Sequence, residues 1–540
     1  MDIDAGNFGD STVAEVGAAL ERAEFFSIDL EMSGISFADP VRAPSPTDSI
    51  ALRYAKGRQV AKTFGIIQVG LAVFDKEGGC RTWNFHVFPR PVTEGPVKHT
   101  PVVALCSAGI NFGRATGIDF QRWINKGLGF VDGTVEGELF EELQRVINQD
   151  GEMVTEPCFE SAAWSKYLSP GASLSIDMSD AISREFESIK AFLFDNRTEY
   201  RIPNMRSIAA LKGLLYRVRN ELPPLSLYEQ SSGAATDRYL SKKSASDLFY
   251  ERLGFRRIWK LLTSCNKPLV VHNGLLDLLF CAHWFEAELP TGVNEFRALI
   301  KKLFPGGVFD TRLIALETGT SEGASLEALS ELLEADEPFR SSVLLDEVSR
   351  NKYALSGSSF HEAAYDAFMT GCVFRALAGR VKDGLNHWRD TVCVARCYWG
   401  FSITGEDRLV RETGSRSKSI RYITGLSAAV STRDILAVFD EIKGSGNGVN
   451  VSSIYVDWVT DTTALLIVSW SAEGDFDLAA GNLTTRLVEA VRNAQKGPLP
   501  ALRLGGLDEF IRKQQEFAEN GFSDESPEIV SLNKKIRQLE

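Results

Sequence analysis

FFSIDLEMSGI, residues 25–35, places two carboxylates at the end of an apolar run. On a strand, residues two apart point to the same face. Asp29 and Glu31 therefore aim at one point while Leu30 turns to the other side. An ionised carboxylate in an apolar segment is costly unless something positive pairs with it. The same anomaly recurs twice further along. In LVVHNGLLDLLF, residues 269–280, a short strand (Leu269 to Val271) meets His272-Asn273-Gly274, and Asp277 falls in the first turn of the helix that follows. In HEAAYDAFMTG, residues 361–371, Ala363, Ala367 and Gly371 recur every four positions, the smooth face of a helix lying tight against a sheet. Asp366 adjoins that face, and His361 stands five residues before it, near the helix start.

None of these four carboxylates has a Lys or Arg beside it in sequence. Hard divalent cations are the natural partners, and paired cations of this kind serve phosphoryl chemistry. A His at the start of the last helix is placed to fold over the site as a general base for an attacking water. Together these residues point to a metal-dependent nuclease.

The ordered set D-x-E (29–31), H-N-x-x-x-D (272–277) and H-x-x-x-x-D (361–366) resembles the DEDD 3′-exonucleases, in the branch with a His before the last Asp. The likeness extends to the poly(A)-specific ribonuclease family through AEFFSID (23–29), FGIIQVGLAVF (64–74), NFHVFPR (84–90) and FDTRL (309–313). Met32 stands where that family is expected to have Phe, and Arg312 where Lys is usual. The resemblance implies two Mg²⁺ ions per site, with Mn²⁺ as a substitute, held by Asp29, Glu31, Asp277 and Asp366, with His361 as base. It also implies that Ser33, Gly34, Ile35, Asn273, Asp310 and Arg312 lie around the RNA and behind the metal ligands. Asp310 suits a helix cap equally well, since FDTRLIA begins a helix. The substrate implied is RNA with a 3′ poly(A) tail, on mRNA or small non-coding RNA, shortened 3′ to 5′ with release of 5′-AMP by a homodimer. Two other readings stay open: a trimmer of small non-coding RNA 3′ ends, and a cap- or RNA-binding scaffold without activity.

At 540 residues the chain has room for two to four domains. No apolar run approaches the ~18–20 residues of a membrane span. The acidic start, MDIDAGNFGD, has no signal-peptide core, so a nuclear or cytoplasmic location is expected. The eight cysteines are scattered, Cys393 and Cys397 forming a lone pair, as buried thiols in a reducing compartment are. His86, His99, His283 and His387 have no partners by spacing and are read as structural. A net charge of −13 is unusual for an RNA binder, but positive charge is concentrated: Arg184–Lys260 holds 15 Lys and Arg against 9 Asp and Glu.

The expected class is α/β. An RNase H-like exonuclease domain with a mixed sheet occupies residues 1–165 and 251–404, interrupted by a small helical or α+β insert at 166–250. A linker (405–418), an RNA-recognition-motif-like α+β domain (419–505) and a tail (506–540) complete the chain. Three strands are expected over residues 25–90, with a loop at 39–49 between the first two. The insert carries Arg206, Lys212, Arg217 and Arg219 among apolar positions and resembles a small single-strand-binding domain, although the Arg-x-x-x-His signature of that class is absent. The C-terminal domain reads βαββα, with a fourth strand near Leu499 to Leu504. The aromatics that usually stack bases on such a sheet are missing. By resemblance, Trp458 is its candidate contact for a 7-methylguanosine cap.

Overall fold

The computed structural model describes residues 1–38, 42–44, 48–89, 91, 100–149, 176–193, 197, 199–205, 207–222, 225–232, 235–241, 245–320, 325–336, 343–355, 360–381, 384–395, 397, 399–405, 407–409, 420–424, 431–444, 451–460, 463–470 and 503–506.

Strands β1 (Asp2–Ile3), β2 (Ala23–Met32), β3 (Ile66–Asp75) and β4 (Gly79–His86) form one wing of a ten-stranded mixed sheet. β2, β3 and β4 run antiparallel, and β1 joins β4 in parallel. On the other side of β2 the sheet continues in parallel through Leu269–Val271, Val308–Asp310 and Thr391–Val392. All of β3 but its last residue is buried, because helices cover both faces. β2 sorts its side chains by parity. Phe26, Ile28 and Leu30 enter one apolar cluster with Val16, Trp83 and Leu278. Phe25 enters the other, with Phe74, Val270 and Phe368. Ser27, Asp29 and Glu31 share the Phe25 face, against which the Ala363–Arg380 helix packs. There Ser27 Oγ donates to the Ala367 carbonyl at 2.6 Å.

Small residues on both partners permit this approach. A Cβ on Gly70 of β3 would lie 1.9 Å from the Ala363 carbonyl oxygen, and one on Gly371 would lie 2.0 Å from the Phe74 ring. The expected four-residue spacing of small residues thus marks the face that seats the helix on the sheet, which fixes how near Asp366 comes to β2.

The sequence reading has only a loop between β2 and β3, whereas a helix, Ile50–Thr63, stands there as well. Its buried positions include Arg53 and Lys56, whose charges disguise an otherwise apolar element. Both are neutralised by Asp48, at 3.5 and 2.8 Å, and Ser49 caps the helix through the Leu52 N–H.

Within the insert, helices Ile176–Phe192 and Ile208–Glu221 pack with a three-stranded antiparallel sheet of Glu199–Ile202, Ala235–Ser241 and Ser226–Ser232. Ile182, Phe186, Ile189, Leu214, Leu215 and Leu240 give it an apolar cluster of its own. Arg206 lies outside the described residues. Helix Ala245–Leu253 runs through the expected boundary at 250, and its Phe249 ring meets Phe140 at 6.2 Å.

Near the C-terminus, strands Val451–Thr460, Thr463–Trp470, Ile420–Thr424 and Arg503–Gly506 are neighbours in that order, with a helix at Thr432–Gly444. The last strand lies slightly beyond its expected position. Trp458 is opposite Ala464 in the backbone register. The second helix of the expected βαββα order, the tail from 507 and His99 lie outside the described residues. Among the described residues, no helix is long and apolar enough to cross a membrane.

Candidate metal centre

Three elements bring the acidic residues to one place. β2 contributes Asp29 and Glu31 from the same face. The Leu275–Cys281 helix contributes Asp277 from its first turn, and the Ala363–Arg380 helix contributes Asp366 from its own. One carboxylate oxygen of Glu31, one of Asp366 and a ring nitrogen of His361 lie within 4.8 Å of one another. Asp277 and Asp366 are both buried. Asp29 and Asp277 stand close enough for the charge of one to act on the other.

The electrostatics are those of a site built for cations. Burial, followed by the charges of Asp366, Asp277 and Glu31, raises Asp29 well above the ordinary carboxylate range. Burial and the charges of Asp366 and Asp277 push Glu31 up to about 8. Asp277 is pushed up to about 7, mainly by burial, against the opposing effect of its own N–H and that of Leu30. Asp366 also reaches about 7 through burial, opposed by the backbone N–H of His361. Asp366 Oδ2 accepts that N–H at 3.0 Å, while the buried Oδ1 has no hydrogen-bond partner among the described residues. An orphaned buried carboxylate oxygen, beside three more mutually repelling carboxylates, fits a divalent cation with oxygen ligands.

His361 is exposed and has a left-handed backbone, φ 72°, a conformation uncommon for a residue with a side chain. Its N–H bond to Asp366 supports this turn. Its ring meets Phe112 edge-on, centroids 4.8 Å apart, and Phe112 is itself half-exposed. Phe112 is absent from the sequence-derived set, because nothing in its local pattern announces a contact with a residue so distant along the chain.

The remaining expected residues take supporting positions. Asp310 is fully buried and accepts from the backbone N–H groups of Asn273, Gly274, Arg312, Leu313 and Cys393. It therefore caps its own helix and pins the turn leading into the Asp277 helix. Asp310→Ala would leave these five amide donors without their acceptor, at ~1–3 kcal/mol for each that stays buried and unpaired. A fall in unfolding free energy of several kcal/mol is expected, measured by denaturant titration. Asn273 holds the left-handed turn at φ 59°. His272 Nδ1 bonds Thr311 Oγ1 at 2.9 Å, and burial, then Arg312, lowers the ring to about 3, which keeps it neutral. Ser33 is buried, its Oγ donating to the Ala104 carbonyl and accepting from the Gly65 N–H. Gly34 has Phe64 and Cys106 where a Cβ would be, whereas Ile35 is exposed.

The sheet register also brings in His86, which the sequence reading leaves as structural. Glu31 is opposite Gln68 on β3, and Gln68 is opposite His86 on β4. The available signal was the alternation in β4, where polar Thr82, Asn84 and His86 share one face and Trp83 and Phe85 take the other.

Comparison with known proteins gives the class to which the chain carrying this carboxylate cluster belongs. The model of the CAF1 family ribonucleases matches residues 3–374. The chain belongs to that family. It is 27% identical over 424 residues to the poly(A)-specific ribonuclease PARN of Xenopus laevis, an alignment covering 73% of this chain and 64% of that protein. The chain thus spans less than two thirds of this relative's length. It is 25% identical over 431 residues to the pre-piRNA 3′-exonuclease trimmer of Bombyx mori, covering 72% of this chain and 71% of that one. Among solved structures, the RNase domain of yeast Pop2 aligns at 13% identity and a TM-score of 0.33, covering 72% of this chain and 89% of that one.

Proposed function

We propose that this chain is a divalent-metal-dependent 3′-to-5′ exoribonuclease that shortens 3′ poly(A) and releases 5′-AMP. The observation that carries this reading is the convergence of Asp29, Glu31, Asp277 and Asp366, with His361 at the edge of the cluster. The names of its relatives support the direction of attack and the poly(A) substrate. Asp29, Glu31, Asp277 and Asp366 would hold the Mg²⁺ ions, which when bound supply positive charge to a phosphodiester and acidify water. His361 accepts the proton of the attacking water as the new P–O bond forms and the bond to the 3′-oxygen of the preceding nucleotide breaks. Phe112 holds the imidazole by its edge, and the Asp366–His361 backbone bond sets the height of the ring over the site. Exposed Ile35 and half-exposed Phe112 offer apolar surface at the entrance for bases.

The Bombyx mori relative favours a second reading, trimming of small RNA 3′ ends. One time course separates the two: 5′-labelled RNAs ending in oligo(A) or in mixed sequence, with and without a 7-methylguanosine cap, in Mg²⁺ or EDTA. Stepwise 3′ shortening is expected in Mg²⁺, fastest on oligo(A), and none in EDTA. Equal rates on both tails favour trimming, and hydrolysis unaffected by EDTA overturns the metal reading. A cap contact at Trp458 predicts faster shortening of capped RNA, lost in Trp458→Ala while uncapped rates hold. A rate indifferent to the cap counts against it.

A further inference from the structure

The left-handed turn that carries His361 is held from several directions. Asp366 Oδ2 takes the His361 N–H at 3.0 Å, and the Asp366 N–H donates in turn to the Glu362 carbonyl at 3.0 Å. One residue further, the Ala363 N–H donates to Gln68 Oε1 on β3 at 3.3 Å. Glu362 stands between the base and the helix, at the cap position, yet its side chain makes no capping bond. Its carboxylate is turned the other way. Glu362 Oε1 accepts from Lys352 Nζ at 2.6 Å and from the Tyr353 hydroxyl at 3.2 Å.

Lys352 is itself fixed to the sheet. It lies on the Glu347–Leu355 helix, which follows Leu344–Leu345, a short strand paired in parallel with β4. At the start of that helix the Asp346 N–H donates to the Cys80 carbonyl at 3.1 Å. Thr82 Oγ1 and Ser349 Oγ share a buried hydrogen bond of 2.7 Å. Lys352 Nζ also donates to Asp2 Oδ1 on β1, at 3.0 Å. The Tyr353 ring packs on Tyr365 and Phe368 of the Ala363–Arg380 helix, with centroids 5.1 and 6.2 Å apart. The Lys352 and Glu362 side chains are each 24% exposed, so water and salt only partly screen this hydrogen-bonded pair. Direct bonds therefore run from β4 to the residue next to the base.

We propose that the Lys352–Glu362 ion pair positions His361, holding the base over the carboxylates from a helix seated on the sheet. The inference rests on the nuclease reading above. An exposed ring takes its place from its backbone, and a displacement of ~1 Å in a catalytic group can cost up to ~100-fold in rate. Both members of the pair act through His361 and not on the RNA. A purely electrostatic role has a different signature. The Glu362 charge bears on Asp366, and Lys352 offsets it. Removing one or the other would then shift the centre in opposite senses, whereas a tie is lost whichever end is cut.

Lys352→Met keeps the length of the stem without its cation, and Glu362→Ala removes the other end. Each should lower kcat on oligo(A) about tenfold with KM nearly unchanged, less than loss of the base itself. In a His361→Ala background, Lys352→Met should lower kcat by less than about twofold, because residues acting through one group are not additive. Hydrogen–deuterium exchange read by mass spectrometry reports on the tie without turnover. Amides of residues 361–366 should exchange about tenfold faster in either variant, while β3 stays as protected as in the wild type. If Lys352→Met exposes β3 as well, Glu362→Ala carries the same expectation. Unchanged exchange at 361–366, an unchanged kcat in an active enzyme, or full additivity with His361→Ala overturns the proposal. Opposite effects of the two single variants on kcat overturn it too. Faster exchange in both variants of a chain that hydrolyses no RNA overturns the nuclease reading and leaves the tie standing.

Discussion

Asp277→Asn is expected to lower RNA degradation at least ~100-fold in saturating Mg²⁺, since a cation at such a site contributes several kcal/mol to the transition state. In EDTA the same variant is expected to be more stable than the wild type at pH 8. Carboxyl groups of the unfolded chain titrate near pH 4. In the fold, Asp277 and Asp366 are raised to about 7 and Glu31 to about 8. Groups raised in this way add stability that is fully present below their unfolded value and is lost as pH rises through the folded one. Between pH 6 and pH 8 the metal-free wild type therefore accumulates repelling charge, and the neutral amide relieves part of it. An increase in melting temperature of a few degrees, the size of ~1 kcal/mol in a large domain, is expected in EDTA at pH 8, shrinking at pH 5. Adding Mg²⁺ should reverse the order, because only the wild type keeps the full ligand set. Degradation kinetics and a melting series in EDTA and Mg²⁺ check both halves. A fully active Asp277→Asn, or one that melts lower in EDTA at pH 8, would remove the shared cation site.

The second large effect is expected at His361. His361→Ala should reduce kcat about 100-fold or more, the usual contribution of a positioned general base, with KM nearly unchanged. The substitution isolates the ring, because alanine keeps the backbone N–H that bonds Asp366 Oδ2. Phe112→Ala should act through the same ring and lower kcat by a smaller factor, since it frees the imidazole without removing it. Steady-state kinetics on oligo(A) separate the alternatives. A His361→Ala enzyme with normal kcat and a raised KM would make this side chain a binding contact instead of a base.

Much of the candidate site was legible in sequence because its carboxylates carry a local contradiction: an acidic group inside an apolar run. Asp29 and Glu31 declare themselves by strand alternation, Asp277 by its place after a short strand and turn, and Asp366 by the small-residue spacing around it. The Ile50–Thr63 helix escaped for the opposite reason, since Arg53 and Lys56 sit in its buried positions and make it look polar until Asp48 is seen to neutralise them. Asp310 was ambiguous between a helix cap and a residue behind the ligands. Its contacts decide for a backbone clamp, because its two oxygens serve five N–H groups from three separate stretches of chain.

By itself the sequence determined which residues are acidic among apolar neighbours, which elements carry them and in what order, and so the class of chemistry. Those properties are set by neighbours along the chain, through periodicity and the cost of burying charge. Tertiary structure alone decided that Glu31, Asp366 and His361 meet within 4.8 Å, that Phe112 leans on His361, and that Glu31, Gln68 and His86 line up across β2, β3 and β4. The reason is register: pairing β2 with β3 and β3 with β4 aligns side chains that no sequence spacing relates, and a one-residue slip would have turned every one of them to the other face.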